Sequence, residues 1–311
     1  MSGEAPAWHL FEAFLAVMQG GSLSAAARAL RVAQPTVRRH IEALEQALGV
    51  VLFTRASNGL VPTQLARTTV PYAESIAAST RAIVRSLSGG VDDDRGTVRV
   101  ACSEIVGAEV LPPLVAGLLR AHPRLQLELS LSNRNEDLLR RDADVAIRMV
   151  RPTQQGLVTR KVGVVGLGLY ASVDYLAVRE PPRAVGDLLE HVLVGADRER
   201  GLIDALGHLG VSARPRDFAV RCDNDLAQLA AVRAGVGIGV CQHGIAARDE
   251  RLRRVLPAVA FELEAWLVMH EDLRGAGRVR RVFDHLGDAL AQYLGAAAPR
   301  AAAPRRAKRR A

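Results

Sequence analysis

The chain has 311 residues, of which 49% are apolar and 24% are charged, and its formal net charge is +8. This length predicts two or three domains with enough apolar material for a buried core. No apolar run is long and uncharged enough to span a bilayer, and no basic region precedes the first apolar segment. Both observations argue against a membrane span or a signal peptide, and a cytoplasmic location is expected.

The positive charge is concentrated at the two ends of the chain. Residues 1–90 carry eight arginines and five glutamates, whereas residues 91–294 are almost neutral, with 27 basic and 28 acidic side chains. Residues 295–311 carry six basic side chains and no acidic one. Such a distribution is typical of a protein that contacts a polyanion with its ends and has another task for its middle.

The segment from Ser22 to Gly49 predicts two helices joined by a tight turn. Proline is disfavoured inside a helix but favoured in its first turn, so one helix ends near Arg31 and the next begins at Gln34-Pro35. The second helix has a buried apolar stripe and an outward polar, basic face at its start, formed by Pro35, Thr36, Arg38 and Arg39. This arrangement predicts a helix-turn-helix that enters a DNA major groove. The alternative for Arg38 and Arg39 is a solvated surface pair.

A hairpin and a long helix follow. Ser57-Asn58-Gly59 is a strong turn signal, and Arg55 and Thr63 lie at the base of the hairpin, available to phosphates, which suggests the wing of a winged helix-turn-helix. From Thr63 onward, heptad spacing predicts a helix with a stripe that needs a partner, formed by Ala66, Thr69, Ala73, Ile76, Thr80, Ile83 and Leu87. The alternative is that this stripe packs against its own domain. Pro71 should kink the helix, and residues 88–96 suggest a hinge.

Residues 97–294 alternate short apolar runs with helical patterns, which predicts an α/β fold. Strands are expected at residues 97–102, 125–132, 144–150, 164–172 and 192–195, and at the segment VGIGV that starts at Val236. Helices are expected through Leu119, over 136–141 and over 223–235. The basic tail has no core-forming residues, so disorder is expected there.

Several motifs resemble those of LysR-type transcriptional regulators. In the first 63 residues they are Gly21-Ser22, Ala26-Ala27, Leu30, Gln34-Pro35, Val37, Ile41, Leu44-Glu45, Leu48-Gly49, Leu52-Phe53, Arg55 and Thr63. Further matches are GTVRVACSE, LLRRDADVAIR, AAVRAGVGIGVC and the closing segment from Trp266. The sequence departs from the family's pattern at Arg38, Arg67 and Cys241-Gln242. The first two departures add positive charge near the expected DNA interface.

The resemblance implies a domain organisation. A winged helix-turn-helix domain is expected at 1–63, a linker and dimerisation helix at 64–88 and a hinge at 89–96. A two-lobed, periplasmic-binding-protein-like (type 2) effector domain follows, with lobe I at 97–165 and 267–294 and lobe II at 166–266. A disordered basic tail is expected at 295–311.

The resemblance also implies which residues bind. DNA contacts are expected from Ser22, Gln34, Pro35, Thr36, Arg38, Arg39, Arg55 and Thr63. Dimer contacts are expected from Ala73, Ile76, Thr80, Ile83 and Leu87. An effector would lie between the lobes and contact Ser103, Glu104, Ser132, Asn133, Arg148, Gly195, Ala196, Asp223 and Asn224. This set suits a small carboxylate, although Ser103 and Asp223 could instead be helix caps.

The expected function is an effector-modulated transcriptional regulator. Its partners would be an operator in double-stranded DNA, a second copy of the chain in a dimer or dimer of dimers, a small-molecule effector and RNA polymerase. The absence of G-x-S-x-G, H-E-x-x-H and P-loop motifs argues against an enzyme, and no cofactor or metal site is expected. The competing function is a binding protein whose N-terminal module only dimerises.

The three cysteines, Cys102, Cys222 and Cys241, form no CxxC pair. Each lies next to a predicted strand end or helix start, which suggests that they converge on the ligand cleft. One hypothesis is that helix N-termini lower their pKa values, so that the protein senses an oxidant or an electrophile. The alternative is an ordinary pocket for a small acid whose walls contain cysteine.

Overall fold

The computed structural model describes residues 5–56, 59–87, 95–133, 143–198 and 200–297. The chain divides near residue 88 into an N-terminal and a C-terminal unit. Outside the described residues lie the predicted helix over 136–141, most of the predicted hinge, Ser57 and Asn58 of the predicted turn, and the tail from 298 onward. The side chains of Arg55 and Leu87 also lie outside this description.

The N-terminal unit contains the predicted helices and hairpin. Its elements are, in chain order, α1 (Trp8–Gly20), α2 (Leu23–Leu30), α3 (Gln34–Leu48), β1 (Phe53–Ala56), β2 (Gly59–Pro62) and α4 (Gln64–Leu87). Helix α1 ends where Gly21 adopts a left-handed backbone with φ 68°, and Ser22 caps α2 by accepting a hydrogen bond from the Ala25 N–H at 3.1 Å. Pro35 lies in the first turn of α3, which ends at a left-handed Gly49. Glycine and proline thus end and start these helices where the sequence predicts.

Part of the predicted partner-facing stripe of α4 packs instead into the core of its own unit. Ala66 and Ala73, with 0% and 1% of their surfaces exposed, pack with Ala77 into the same cluster as Phe14 and Leu44. These alanines therefore face their own domain, and Ala73 is not free to contact a second chain. The first half of α4 uses small residues because the helix lies close against its own unit.

The C-terminal unit is built around a mixed sheet with the strand order β4-β3-β5-β10-β6-β9. A smaller sheet pairs β7 with β8. In chain order the elements are β3 (Gly96–Cys102), α5 (Leu111–Ala121), β4 (Leu125–Leu131), β5 (Val145–Arg148), β6 (Leu157–Ser172), α6 (Val173–Val178), β7 (Leu193–Gly195), α7 (Gly201–His208), β8 (Phe218–Arg221), α8 (Asp225–Arg233), β9 (Gly239–Gln242), α9 (His243–Ala246), β10 (Leu252–His270) and α10 (Gly277–Ala297). A π-helical turn, Val106–Val110, leads into α5.

Two long antiparallel strands, β6 and β10, run through both lobes. The pairing shifts register between Ala265 and Trp266, opposite Gly163, which has φ 149°. A Cβ atom on Gly163 would lie 3.0 Å from the Leu294 side chain, so glycine is required there for both backbone and packing. Strand β6 begins at Leu157, seven residues before the predicted strand.

Buried side chains of this unit form two clusters. One contains Val98, Ile147, Leu267 and Leu286, together with Leu229 and Ile245 from the second lobe. The other belongs to the second lobe and contains Leu169, Leu188, Phe218 and Ile238. Some elements differ from their predicted bounds by a few residues. Strand β3 begins at Gly96, and α10 continues to Ala297.

Candidate DNA-binding surface and ligand cavity

The start of α3 presents its polar side chains to solvent. Gln34, Pro35, Arg38 and Arg39 are exposed and Thr36 is half-buried. Val37, between them, is fully buried in the N-terminal core, and Ile41 and Leu44 continue the buried stripe. Since one face of α3 is fixed by packing, the two arginines are held on its outer side.

Ser22 and Thr63 each have a structural role. The Ser22 hydroxyl accepts the capping hydrogen bond of α2. The Thr63 hydroxyl donates to the Val51 carbonyl at 3.0 Å and accepts from the Ala66 N–H at 3.2 Å. Because its proton is already donated, the Thr63 side chain holds the base of the hairpin instead of offering a free donor to a phosphate. For Ser22 and Thr63, the structure supports capping.

Glu45 orients the hairpin and was not singled out from the sequence. Its Oε1 accepts hydrogen bonds from the backbone N–H groups of Leu52 at 2.7 Å and Phe53 at 3.0 Å. The carboxylate on α3 therefore fixes Leu52 and Phe53, where β1 begins, relative to α3. The sequence signal for this role of Glu45 was the Leu44-Glu45 pair of the N-terminal motifs.

A histidine pair lies beside Arg39. The rings of His9 in α1 and His40 in α3 have centroids 4.8 Å apart. Burial lowers the pKa of His40 below 6.5, and the neighbouring His9 and Arg39 lower it further. A lowered pKa favours neutral imidazole at pH 7, so the positive charge at this end of α3 is that of the arginines.

The second half of α4 carries exposed apolar side chains. Ile83 is 60% exposed, and Ile76 and Val84 are also exposed. The Thr80 hydroxyl donates to the Ile76 carbonyl at 3.0 Å, and its side chain is exposed. Exposed apolar residues one or two turns apart on one helix are typical of a surface that a partner covers.

A cavity of about 440 Å³ lies between the lobes of the C-terminal unit. On the first lobe, Ser103 follows β3, Ser132 and Asn133 follow β4, and Arg148 ends β5. Four predicted effector residues of the first lobe therefore share one wall, because the carboxyl ends of parallel strands meet at one edge of the sheet.

The second lobe supplies the opposite wall. It contributes the predicted Asp223, and also Asp225, Gln228, Cys241 and Gln242, which were not predicted. Apolar residues of both lobes complete the lining: Ile105, Ile147, Met149, Val150, Leu167, Val240 and Leu263. The neighbourhood of Asp223 was the sequence signal for Asp225 and Gln228, which lie on the first turns of α8.

Glu104 and Asn224 do not line the cavity but connect its two walls. The Asn224 amide donates to the Glu104 carboxylate across the lobes. Asn224 also caps α8, accepting from the Ala227 N–H at 2.8 Å. Asp223 lines the cavity but is not the cap of α8, and its Oδ1 accepts hydrogen bonds from the backbone N–H groups of Asp197 and Arg198 at 2.9 and 2.8 Å.

Gly195 and Ala196 are absent from the described lining of the cavity. The Gly195 carbonyl accepts a hydrogen bond from the Cys222 N–H at 2.9 Å. A Cβ on Gly195 would lie 2.7 Å from the Phe218 ring, so this glycine is required by packing within the second lobe. The predicted effector contacts at Gly195 and Ala196 are therefore not part of this lining, and Gly195 has a structural role.

An ion-pair cluster joins the lobes near α8. The Glu109 carboxylate forms two hydrogen bonds with Arg233, at 2.6 and 2.9 Å, and Arg233 Nε contacts Asp249 at 2.8 Å. Arg248 donates to the Glu109 carbonyl at 2.7 Å. The hydrogen bonds from Arg233 lower the pKa of Glu109, and those from Arg251 and Arg233 lower the pKa of Asp249 to about 2.

Cys102 and Cys241 contradict the hypothesis of lowered thiol pKa values. Cys102 and Cys241 are 1% and 2% exposed, and burial raises the pKa of each thiol to about 12. Arg148 near Cys102 acts in the opposite direction but has the smaller effect. Cys222 is half-buried. At neutral pH the two buried thiols hold their protons, which argues against thiolate chemistry at either.

Within the described ranges, no group of three or more His, Cys, Asp or Glu side chains could hold a metal ion. No described helix combines the length and the apolar character needed to cross a membrane.

Family comparisons match both units. The LysR substrate binding domain matches residues 92–291, and the bacterial regulatory helix-turn-helix protein, lysR family, matches residues 8–67. Together with the exposed start of α3 and the interlobe cavity, these matches define a transcriptional regulator with a DNA-binding and an effector-binding domain. The chain belongs to the LysR family.

Individual relatives agree with this assignment. The transcriptional activator TtdR of Escherichia coli K12 is 24% identical over 291 residues, which cover 90% of this chain and 92% of TtdR. ClcR of Pseudomonas putida is 36% identical over 155 residues, or 48% of this chain and 52% of ClcR. PgrR of E. coli K12 is 24% identical over 58% of this chain and 60% of PgrR. The chain thus spans a little more than half the length of ClcR and PgrR.

Solved structures share the fold. CbnR, a LysR family transcriptional regulator, superposes with a TM-score of 0.63 at 21% identity, covering 91% of this chain and 99% of CbnR. The Vibrio cholerae virulence activator AphB superposes with a TM-score of 0.57 at 20% identity, covering 90% of this chain and 98% of AphB.

Proposed function

We propose that this regulator binds an operator in double-stranded DNA through the start of α3. The observation that carries the proposal is the pair of exposed arginines, Arg38 and Arg39, held outward by the buried Val37. Gln34, Pro35 and Thr36 complete the surface that enters the major groove. Support also comes from CbnR, of which a full-length structure complexed with its target DNA superposes on this chain with a TM-score of 0.59.

The proposed effector is a small molecule, of which a carboxylate is one suitable class, that binds in the interlobe cavity. The cavity volume of about 440 Å³ lies within the usual range of about 300–1,000 Å³ for small-molecule sites. Arg148, Ser103, Ser132 and Asn133 offer a cation, hydroxyl groups and an amide on one wall. A ligand that contacts both walls favours one relative position of the lobes and so can alter DNA binding.

The proposed assembly is a dimer formed through α4, with two dimers in a homotetramer on a bipartite operator. The exposed Ile76, Thr80 and Ile83 supply the contact, and Leu87 extends it by heptad spacing. RNA polymerase is proposed as a further protein partner, because a transcriptional regulator acts at a promoter. The proposed location is the cytoplasm, which contains the DNA.

Single substitutions on α3 test the proposal. Arg39→Ala should weaken operator binding and should reduce the slope of log K against log salt by about 1 if a phosphate contact is lost. Arg38→Ser should cost about 1–3 kcal/mol of discrimination if this arginine contacts a base edge. Arg183→Ala, which removes an 83% exposed arginine side chain from the other unit, is the matched control. If both α3 variants keep the affinity and sequence preference of the wild type, the proposal is wrong. The competing function, a binding protein whose N-terminal module only dimerises, would then be supported.

A further inference from the structure

The histidine pair of the N-terminal unit lies beside the proposed DNA contact on α3. His40 follows Arg39 directly along this helix, and the centroid of its ring is 4.8 Å from that of His9 in α1. The planes of the two rings meet at 66°, so the rings pack edge to face. His9 is exposed and His40 is half-buried. The pair therefore lies at the surface where α1 meets α3, next to the face of α3 that the proposed function assigns to DNA.

The surroundings of His40 disfavour its charged form. Burial lowers the pKa of His40 below 6.5, and repulsion from His9 and Arg39 lowers it further. Among the described residues, these two are the charged or titratable groups that act on His40, one from α1 and one from its own helix. The repulsion from Arg39 means that its guanidinium and the His40 ring are close neighbours. At neutral pH, His40 is therefore mainly uncharged.

A phosphate bound at Arg39 would reverse this balance. Duplex DNA carries about one negative charge per 1.7 Å of its axis, and charges in physiological salt act over about 8 Å. A phosphate that pairs with Arg39 offsets the repulsion on His40 and adds an attraction of its own. Both effects favour the protonated imidazole, so the pKa of His40 is expected to be higher in the DNA complex than in the free protein.

We propose that His40 takes up a proton when the protein binds DNA and so becomes a further phosphate contact. The protonated imidazole would act as a charged hydrogen-bond donor to a phosphate oxygen, and His9 would help to keep His40 neutral until DNA is bound. This inference rests on the proposed function of α3 in operator binding. It adds His40 to the DNA-contacting surface and makes operator affinity depend on pH.

The direction of the pH effect follows from thermodynamic linkage. The complex holds more protons than the free protein and the free DNA together, so affinity should rise as pH falls. The rise begins as pH falls through the pKa of His40 in the complex. It ends below the pKa of His40 in the free protein, which is lower than 6.5. Each unit of difference between the two pKa values corresponds to about a tenfold change in affinity.

The test measures DNA affinity against pH with the full-length chain. The probe is the duplex fragment from upstream of its own gene that the protein protects. The dissociation constant is determined between pH 8 and pH 6 at one fixed ionic strength, because affinity for DNA depends steeply on salt. The wild type should bind about threefold or more tightly at pH 6 than at pH 8. Calorimetry in two buffers of different ionisation enthalpy should show net proton uptake on binding.

Four variants assign the proton. His40→Gln, which cannot be protonated, should lose the pH dependence and the proton uptake. His40→Lys, which stays charged over this range, should bind at pH 8 about as tightly as the wild type binds at pH 6. His9→Gln should move the rise in affinity to higher pH, because His9 then no longer opposes the charge on His40. His208→Gln, at an exposed position in the other unit, is the control and should behave as the wild type.

The outcomes separate this inference from the regulator proposal. Proton uptake is measured on the wild type as well, so the test stands even if a His40 variant does not fold. If the wild type takes up no proton, or if His40→Gln keeps the pH dependence of the wild type, the inference is wrong. The regulator proposal survives both results, since the wild type still protects the fragment. If the wild type protects no DNA at any pH, the proposed function fails, and this inference fails with it.

Discussion

The carboxylate of Glu109, which follows β3 in the first lobe, forms a bidentate ion pair with Arg233 at the end of α8 in the second lobe. The Glu104–Asn224 hydrogen bond joins the lobes at the other end of the same helix. Helix α8, which also contributes Asp225 and Gln228 to the cavity, is therefore attached to the first lobe at both of its ends. A ligand that moves α8 must alter these contacts.

Removing the Glu109 charge should destabilise the C-terminal unit. Both side chains of the pair are about three-quarters buried, so Glu109→Gln should lower the free energy of unfolding by about 1–3 kcal/mol. Glu128→Gln, which disrupts the exposed pair with Arg99, should cost less than about 1 kcal/mol. Urea denaturation at pH 7 compares the two variants. Equal, small effects would show that the Glu109 pair contributes no more than a surface contact.

Asp249 should make stability depend on acid pH. Its pKa falls from 3.8 to about 2 in the folded chain because Arg251 and Arg233 hydrogen-bond to it. Since the folded pKa is the lower one, its contribution is complete above pH 3.8 and is lost as pH falls towards 2. The difference in unfolding free energy between wild type and Asp249→Asn should therefore shrink across this interval. A difference that is constant with pH would contradict the ion-pair assignment.

The buried cysteines should resist alkylation in the folded chain. With pKa values of about 12, the thiols of Cys102 and Cys241 remain protonated, and their burial excludes reagent. Cys222 is half-buried and should be labelled first by iodoacetamide at pH 7.5, which peptide mass spectrometry can follow. A urea-denatured sample, in which all three label, is the control. Fast labelling of Cys102 or Cys241 without unfolding would restore the sensing hypothesis.

The exposed half of α4 should determine the oligomeric state. Ile76→Asp combined with Ile83→Asp should give monomers in size-exclusion chromatography with light scattering, because a charge buried at the contact is unfavourable. Val178→Asp, at an 82% exposed position in the other unit, should leave the oligomer intact. Retention of the native oligomer by the α4 double variant would show that this face is not the contact.

How far the sequence predicts the structure depends on the element. Pro35 and Gly21 fix helix ends by local sterics, so the helix-turn-helix could be placed from the sequence. The strand before Val164 could not, because Gly163 interrupts its apolar pattern, and only pairing with β10 extends β6 back to Leu157. Heptad spacing likewise could not show that Ala73 packs within its own domain, since small residues suit either contact.

Some features of the candidate sites could likewise be predicted from the sequence, and others could not. Ser103, Ser132, Asn133 and Arg148, which the family resemblance implies as effector contacts, line one cavity wall, and their contact with an effector stays a prediction. Asp223 was the residue offered as a cap of α8, but Asn224 is the cap, because two adjacent residues can each cap a helix and only the fold shows which one does. The pKa of a thiol depends on how deeply it is buried, and the position of a cysteine along a strand does not predict that depth.

Operator binding by the start of α3 is the central claim, and a footprint tests it most directly. The purified chain is incubated with DNA from upstream of its own gene and of the neighbouring genes, and cleavage protection is compared between wild type, Arg39→Ala and Arg183→Ala. We predict a protected bipartite site with wild type and with Arg183→Ala, and its loss at the same protein concentration with Arg39→Ala. The absence of any protected site with wild type, or identical protection by Arg39→Ala at every concentration, would contradict the account.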